Sequence, residues 1–213
     1  MANLISLGRL CLLFVAIAFI FTHSFPLTLA AIGVIAIVFA SDGIDGFVAR
    51  RRGSTSELGA ILDIAGDRVV ENGLWITFAV AGVIGVWAPL VVMTRGFLVD
   101  AMRGVSYAQG KSAFGENTMM RSPVTRFLAA SRFMRLFFGA AKGFGFLFLT
   151  GLVASRLPNA GSGWIGLYRN EPYRIAGWVL VYLAIALTII RGLPVIFDAF
   201  AYMQSPSNEG MPE

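Results

Sequence analysis

Cysteine and histidine occur once each in this chain, and charged residues are scarce. A single Cys11 excludes any intramolecular disulfide; set in an apolar run, it is expected to be a small buried hydrophobe and not a reactive thiol. A single His23, in the connection His23-Ser24-Phe25-Pro26, excludes a multi-histidine metal site, so a metal here must be bound by oxygen. Asp, Glu, Lys and Arg make up 14% of the 213 residues, where soluble globular domains carry roughly 25%. That scarcity excludes a water-facing surface over most of the chain. What fills the gap is apolar: 57% of residues are hydrophobic and the mean hydropathy is +0.74. The chain belongs in a membrane. Its basic excess, a net charge of +5 and a pI of about 9.9, then marks cytoplasmic loops and contacts with anionic headgroups or phosphates, and no nucleic-acid partner is expected. There is no internal repeat and no low-complexity segment. The first apolar run lacks the small-residue cleavage site of a signal peptide, so it is expected to span.

Apolar runs of about 20 residues, the length that crosses a bilayer, can be placed six times, over 4–22, 26–47, 59–84, 87–107, 127–154 and 172–201. The expected fold is all-α, a bundle of six transmembrane helices over residues 1–203, followed by a polar, disordered tail over 204–213. Turn chemistry separates the runs at 22–26, 50–56, 85–87, the long polar stretch 110–126 and the Pro/Asn/Gly-rich stretch 157–171. Arg50, Arg51 and Arg52 lie in the second connection, and Arg103, Lys111, Arg121, Arg126, Arg132 and Arg135 in and around the fourth. The opposite side carries Arg156, Arg169 and Arg174. By the positive-inside bias this is a multi-pass protein of the cell (inner) membrane with both termini in the cytoplasm.

A few charged residues fall inside the runs. A carboxylate at mid-bilayer costs a few kcal/mol on insertion scales, so it is kept only where it faces a cavity or a partner. Asp42 and Asp45 are three apart at the end of the second run, and Asp63 and Asp67 are four apart at the start of the third. Each spacing puts two side chains on one helix face. The basic turn Arg50-Arg51-Arg52-Gly53 lets the two helices fold back antiparallel, which brings both pairs to similar depth near the cytoplasmic surface. Four converging carboxylates repel one another unless several are protonated or they share cations. All-oxygen ligation selects Mg2+ or Mn2+, and four carboxylates suffice for two ions about 4 Å apart, an arrangement suited to phosphoryl transfer. The small residues beside them, Gly43, Gly46, Ala49, Gly59, Ala60 and Gly66, read as tight helix packing or, at Gly46, Ala49 and Gly59, as room for a ligand. A cation carrier with the acidic cluster as its transport site is the reading from another class; it favours acids near mid-bilayer in broken helices.

Together these residues carry the pattern Asp-x2-Asp-Gly-x2-Ala-Arg-x8-Gly-x3-Asp-x3-Asp, with Asp42, Asp45, Gly46, Ala49, Arg50, Gly59, Asp63 and Asp67 at its fixed positions. The pattern resembles the signature of the CDP-alcohol phosphatidyltransferase family, and the six-run layout is similar to that family's as well. The resemblance implies a membrane enzyme that displaces CMP from CDP-diacylglycerol with an alcohol. It implies Asp42, Asp45, Asp63 and Asp67 as ligands of two Mg2+ or Mn2+ ions, with Asp67 also the general base. Gly46, Ala49, Arg50 and Gly59 would line the cytidine diphosphate site, with Ser56 and Asn3 also on the nucleotide, and the protein would be a homodimer.

The acceptor is less specified. Residues 3–9, Asn3-Leu4-Ile5-Ser6-Leu7-Gly8-Arg9, resemble the opening of phosphatidylglycerophosphate synthases, as does the spacing of Arg95 and Arg103 in the fourth run. Both point to a small, phosphorylated alcohol such as glycerol 3-phosphate, since Arg suits phosphate. Asp63-Ile64-Ala65-Gly66-Asp67-Arg68 resembles inositol-phosphate-using relatives instead, so an inositol phosphate or another polyol stays open. Arg132, Arg135 and Lys142 form a cationic cluster entering the fifth run, read as an acceptor-phosphate site or as positive-inside anchoring. Arg68 and Glu71 are expected to pair with each other or to brace Asp67.

Overall fold

In a computed structural model of the chain, residues 2–52, 57–108 and 131–203 are described; for 2–5, 42–52, 57–61, 105–108 and 197–203, and for residues 103, 132, 194 and 195, this description is of the backbone alone. Among the described residues the chain forms seven helices and no strand. They are α1 (Ala2–Phe21), α2 (Phe25–Arg52), α3 (Glu57–Val80), α4 (Trp87–Ala108), α5 (Arg132–Ser155), α6 (Ser162–Arg169) and α7 (Glu171–Met203). Each of the six long helices coincides with one of the six apolar runs. Helix α6 was not expected; it lies within the stretch read as a turn-rich break. The polar connection expected over 110–126, the start of the fifth apolar run over 127–130 and the tail at 204–213 lie outside the described residues.

Among the described residues two helical segments, Phe133–Ser155 and Glu171–Leu193, are long and apolar enough to cross a membrane, and Ser6–Phe21 and Phe25–Ser41 are shorter apolar segments. Large apolar side chains are exposed on every long helix with described side chains, among them Phe14, Ile37, Ile64, Leu90, Phe144 and Val179. Such a surface suits an apolar surrounding rather than water. Cys11 is exposed, not buried as expected. The correction has a simple cause: where the outer surface is itself apolar, a small hydrophobe gains little from burial.

The chain divides into two compact units, Met1–Leu90 with Ala140–Ala184, and Val91–Gly139 with Ile185–Glu213. In the first, α1 packs on α2 and α3. The core is made by Leu13, Ala16 and Ile20 of α1, Ile35 and Val38 of α2, Leu74, Trp75 and Phe78 of α3, and Phe146 and Leu149 of α5. Phe146 is its centre, with the rings of Trp75, Phe39 and Phe78 at centroid distances of 4.9, 5.7 and 5.8 Å. The turns are locally encoded. His23 takes a left-handed φ of 53° between α1 and α2, and Pro26 sits in the first turn of α2, where its missing N–H costs nothing. Helix α3 ends on Gly82 at φ 67°, with Gly82 N–H donating to Ala79 O and Val83 N–H to Phe78 O, the paired bonds of a Schellman stop. Buried threonines turn their hydroxyls back onto the preceding helical turn, Thr77 to Gly73 O and Thr150 to Phe146 O, so these two hydroxyls are satisfied within the apolar interior.

Within the second unit, Val92 and Val99 of α4 and Ile185 and Leu187 of α7 are buried. Arg191 is buried too; it donates to Met134 O at 3.1 Å and its guanidinium lies 5.0 Å from the Phe138 ring centroid.

Candidate active site

Helix α3 carries three acids at successive i, i+4 positions: Asp63, Asp67 and Glu71. Because four residues exceed one helical turn by a small angle, the three form a slowly winding stripe on one side of the helix. The stripe changes character along its length. Asp63 and Asp67 are about half exposed, with side chains 49% and 51% accessible, whereas Glu71 is at 9%.

Each part of the stripe has its own cation. Arg9 of α1 is 3% exposed; its guanidinium donates to Asp67 Oδ1 and lies 3.9 Å from Asp63 Oδ1. Glu71 accepts two cations, Lys142 Nζ of α5 at 3.1 Å and Arg68 at 3.6 Å, one turn before it on the same helix. The expected pairing of Arg68 with Glu71 is therefore present, and Lys142, read as an acceptor-site candidate, stands against Glu71 as well. A Cβ at Gly66 would meet no described atom within 4 Å.

Most of the other predicted site residues are placed by backbone only. Asp42, Asp45, Gly46, Ala49 and Arg50 fall in the last turns of α2, Asn3 in the first turn of α1, Gly59 in the first turn of α3, Arg103 in α4 and Arg132 at the start of α5, and Ser56 lies outside the described residues. Arg95 and Arg135 belong to the second unit. There Arg95 lies along α7, where a Cβ on Gly192 would fall 2.4 Å from its Nε, and Arg135 is exposed one turn past Ser131, whose Oγ accepts from Met134 N–H and caps α5. Arg9 is the residue that the site reading missed. Its signal was present, because it is the last residue of the Asn3–Arg9 stretch singled out for another reason.

The donor set suits a hard cation: adjacent, half-exposed carboxylates offer only oxygen, the choice of Mg2+ or Mn2+. Among the described residues no group of three or more His, Cys, Asp and Glu forms a complete metal cluster, and the side chains of Asp42 and Asp45 fall outside them.

The described residues, helical and with large apolar side chains on their surface, carry a carboxylate face on one helix, the features of a membrane-associated, oxygen-donor centre. Residues 1–190 match the family described as CDP-alcohol phosphatidyltransferase, and the chain belongs to that family. Its members are membrane-associated transferases of substituted phosphate groups that use divalent metal ions. Proteins named "Putative cardiolipin synthase" from Mycobacterium bovis (strain ATCC BAA-935 / AF2122/97) and from Mycobacterium tuberculosis (strains CDC 1551 / Oshkosh and H37Rv) are each 36% identical to it over 83 residues. That similarity covers 38% of this chain and 40% of the relatives' length.

Proposed function

We propose that this protein transfers the phosphatidyl group of CDP-diacylglycerol to a polar alcohol and releases CMP, with glycerol 3-phosphate as the first candidate acceptor. The observation that carries the reading is the convergence of Asp63 and Asp67 on one half-exposed helix face, within a family of such transferases. The acceptor oxygen forms a bond to the phosphorus that bears the diacylglycerol; the bond from that phosphorus to the bridging oxygen breaks, and the electron pair leaves with CMP. Asp67 takes the acceptor's proton, while Asp42, Asp45, Asp63 and Asp67 hold two Mg2+ or Mn2+ ions. When bound, such ions neutralise phosphate charge. Asn3, Gly46, Ala49, Arg50, Ser56 and Gly59 line the nucleotide, and Arg50 is suited to a phosphate.

In this reading the six long helices cross the cell membrane with the aspartates at its cytoplasmic side, and two copies form a homodimer. Arg95, Arg103, Arg132, Arg135 and Lys142 are the candidates for the acceptor's phosphate. The acid-face sequence Asp63–Arg68 supports an inositol phosphate as the second candidate, and the relatives' name adds a third. The test is CMP release from CDP-diacylglycerol with Mg2+ or Mn2+, offering glycerol 3-phosphate, inositol 1-phosphate, free polyols and phosphatidylglycerol in turn. Turnover with glycerol 3-phosphate at least tenfold above the rest is expected, on the order of one well-placed charge-assisted contact. Preference for another acceptor would overturn that assignment while leaving the transfer chemistry in place.

A further inference from the structure

We propose that Arg9 is a positioning residue of the aspartate centre, one that fixes Asp67 for proton removal and at the same time weakens the hold of the carboxylates on divalent metal. The inference rests on the metal-binding reading of the aspartates given above.

Three observations carry it. Arg9 is 3% exposed yet ends on two half-exposed carboxylates, so its charge is buried and its partners are not. A guanidinium keeps its proton under all ordinary conditions, and a buried cation without a counter-charge is strongly unfavourable. Arg9 therefore stays at the aspartates whenever the chain is folded. Its base is also fixed: one turn further along α1, Leu13 is buried against α3, where a Cβ on Gly73 would stand 3.3 Å from Leu13 Cδ2. Helix α1 thus delivers the guanidinium at a set height on the acid stripe.

The consequence falls on Asp67: Arg9 donates to its Oδ1, which limits the carboxylate's rotation. The same positive charge opposes any dication approaching the pair. Removing it leaves a more negative centre that binds metal more tightly but holds its base less well. General destabilisation would weaken metal binding and turnover together, so the opposite signs identify the role.

The experiment uses the full chain, purified in detergent, with Mn2+ as probe. Mn2+ binding is measured by electron paramagnetic resonance without substrate, and CMP release is measured separately. Arg9→Gln is expected to lower the Mn2+ dissociation constant on the order of tenfold, and to reduce kcat by roughly tenfold or more through loss of orientation while KM for CDP-diacylglycerol stays within about threefold. Arg9→Lys keeps the charge and loses the planar fork; it is expected to bind Mn2+ like the unmodified protein and to show the kcat loss. Mn2+ binding by Arg9→Gln that is unchanged or weaker overturns the proposal, as does an unchanged kcat in Arg9→Lys. Should Arg9→Gln not fold, Arg9→Lys decides. Asp63→Asn and Asp67→Asn separate the layers: if neither weakens Mn2+ binding, the aspartate metal site itself fails. If they do weaken it and Arg9→Gln does not tighten it, only the role of Arg9 falls.

Discussion

Glu71 illustrates how burial alters the meaning of an acid. Asp63 and Asp67 are half exposed, but Glu71 is shielded and held by Lys142 and Arg68. A buried ion pair adds little net stability over an apolar pair, whereas breaking it leaves an uncompensated charge. Glu71→Leu should therefore destabilise the protein by about 2–4 kcal/mol, the lower part of the range for buried pairs because Lys142 and Arg68 keep some exposure. Combining it with Lys142→Met should restore most of the loss, which a double-mutant cycle of thermal midpoints in detergent would measure; no recovery would show that the pair is not the cause. At this scale the sequence exposed the aspartates, because their spacing alone puts them on shared helix faces. It did not expose Arg9, whose partner Asp67 is 58 residues away and is chosen by helix packing rather than by local pattern.

Helix α6 shows the same limit for an element. Pro158, Asn159, Gly161 and Gly163 read as punctuation, and eight residues are too few for a helix to hold itself in water. Tertiary contacts decide instead. Trp164 Nε1 donates to Gly151 O at 3.1 Å, the buried Tyr168 hydroxyl donates to Phe148 O at 3.2 Å, and Tyr173 donates to Tyr168 Oη at 3.3 Å. Gly151 makes the close approach possible, since a Cβ there would fall 1.9 Å from the Tyr168 oxygen. Gly151→Ala should cost about 1–3 kcal/mol by overpacking, read as a lowered thermal midpoint; an unchanged midpoint would mean that α6 is not docked there. Burial, followed by the Tyr173 hydroxyl, raises the Tyr168 phenol above its usual range. A group raised in the folded state adds a stability that is present below its unfolded pKa, about 10 for tyrosine, and is lost as pH rises beyond it. The thermal midpoint should therefore drop above about pH 10, and Tyr168→Phe should flatten that drop.

For the molecule as a whole, the six apolar runs foretold six long helices with close boundaries, because a run of about 20 apolar residues has few other stable forms in a membrane. Among the described residues, the two segments that meet the spanning criterion lie in α5 and α7. Helices α2, α3 and α4 carry Asp42, Asp45, Asp63, Asp67, Glu71, Arg95 and Asp100, charges that lower the hydropathy of these runs; ionisable groups inside a membrane are costly and are kept mainly for function. The acceptor was less legible for a physical reason: its candidate cations are divided between α4 and α5, and no short spacing binds the two groups into one motif.

The most direct test of aspartate-driven phosphatidyl transfer is CMP release by Asp67→Asn beside the unmodified protein, with CDP-diacylglycerol, Mg2+ or Mn2+ and the best acceptor. Loss of a general base predicts a fall of about 100-fold or more, with the variant still monodisperse and folded in detergent. Undiminished CMP release by that folded variant would contradict the assignment of Asp67 as the base.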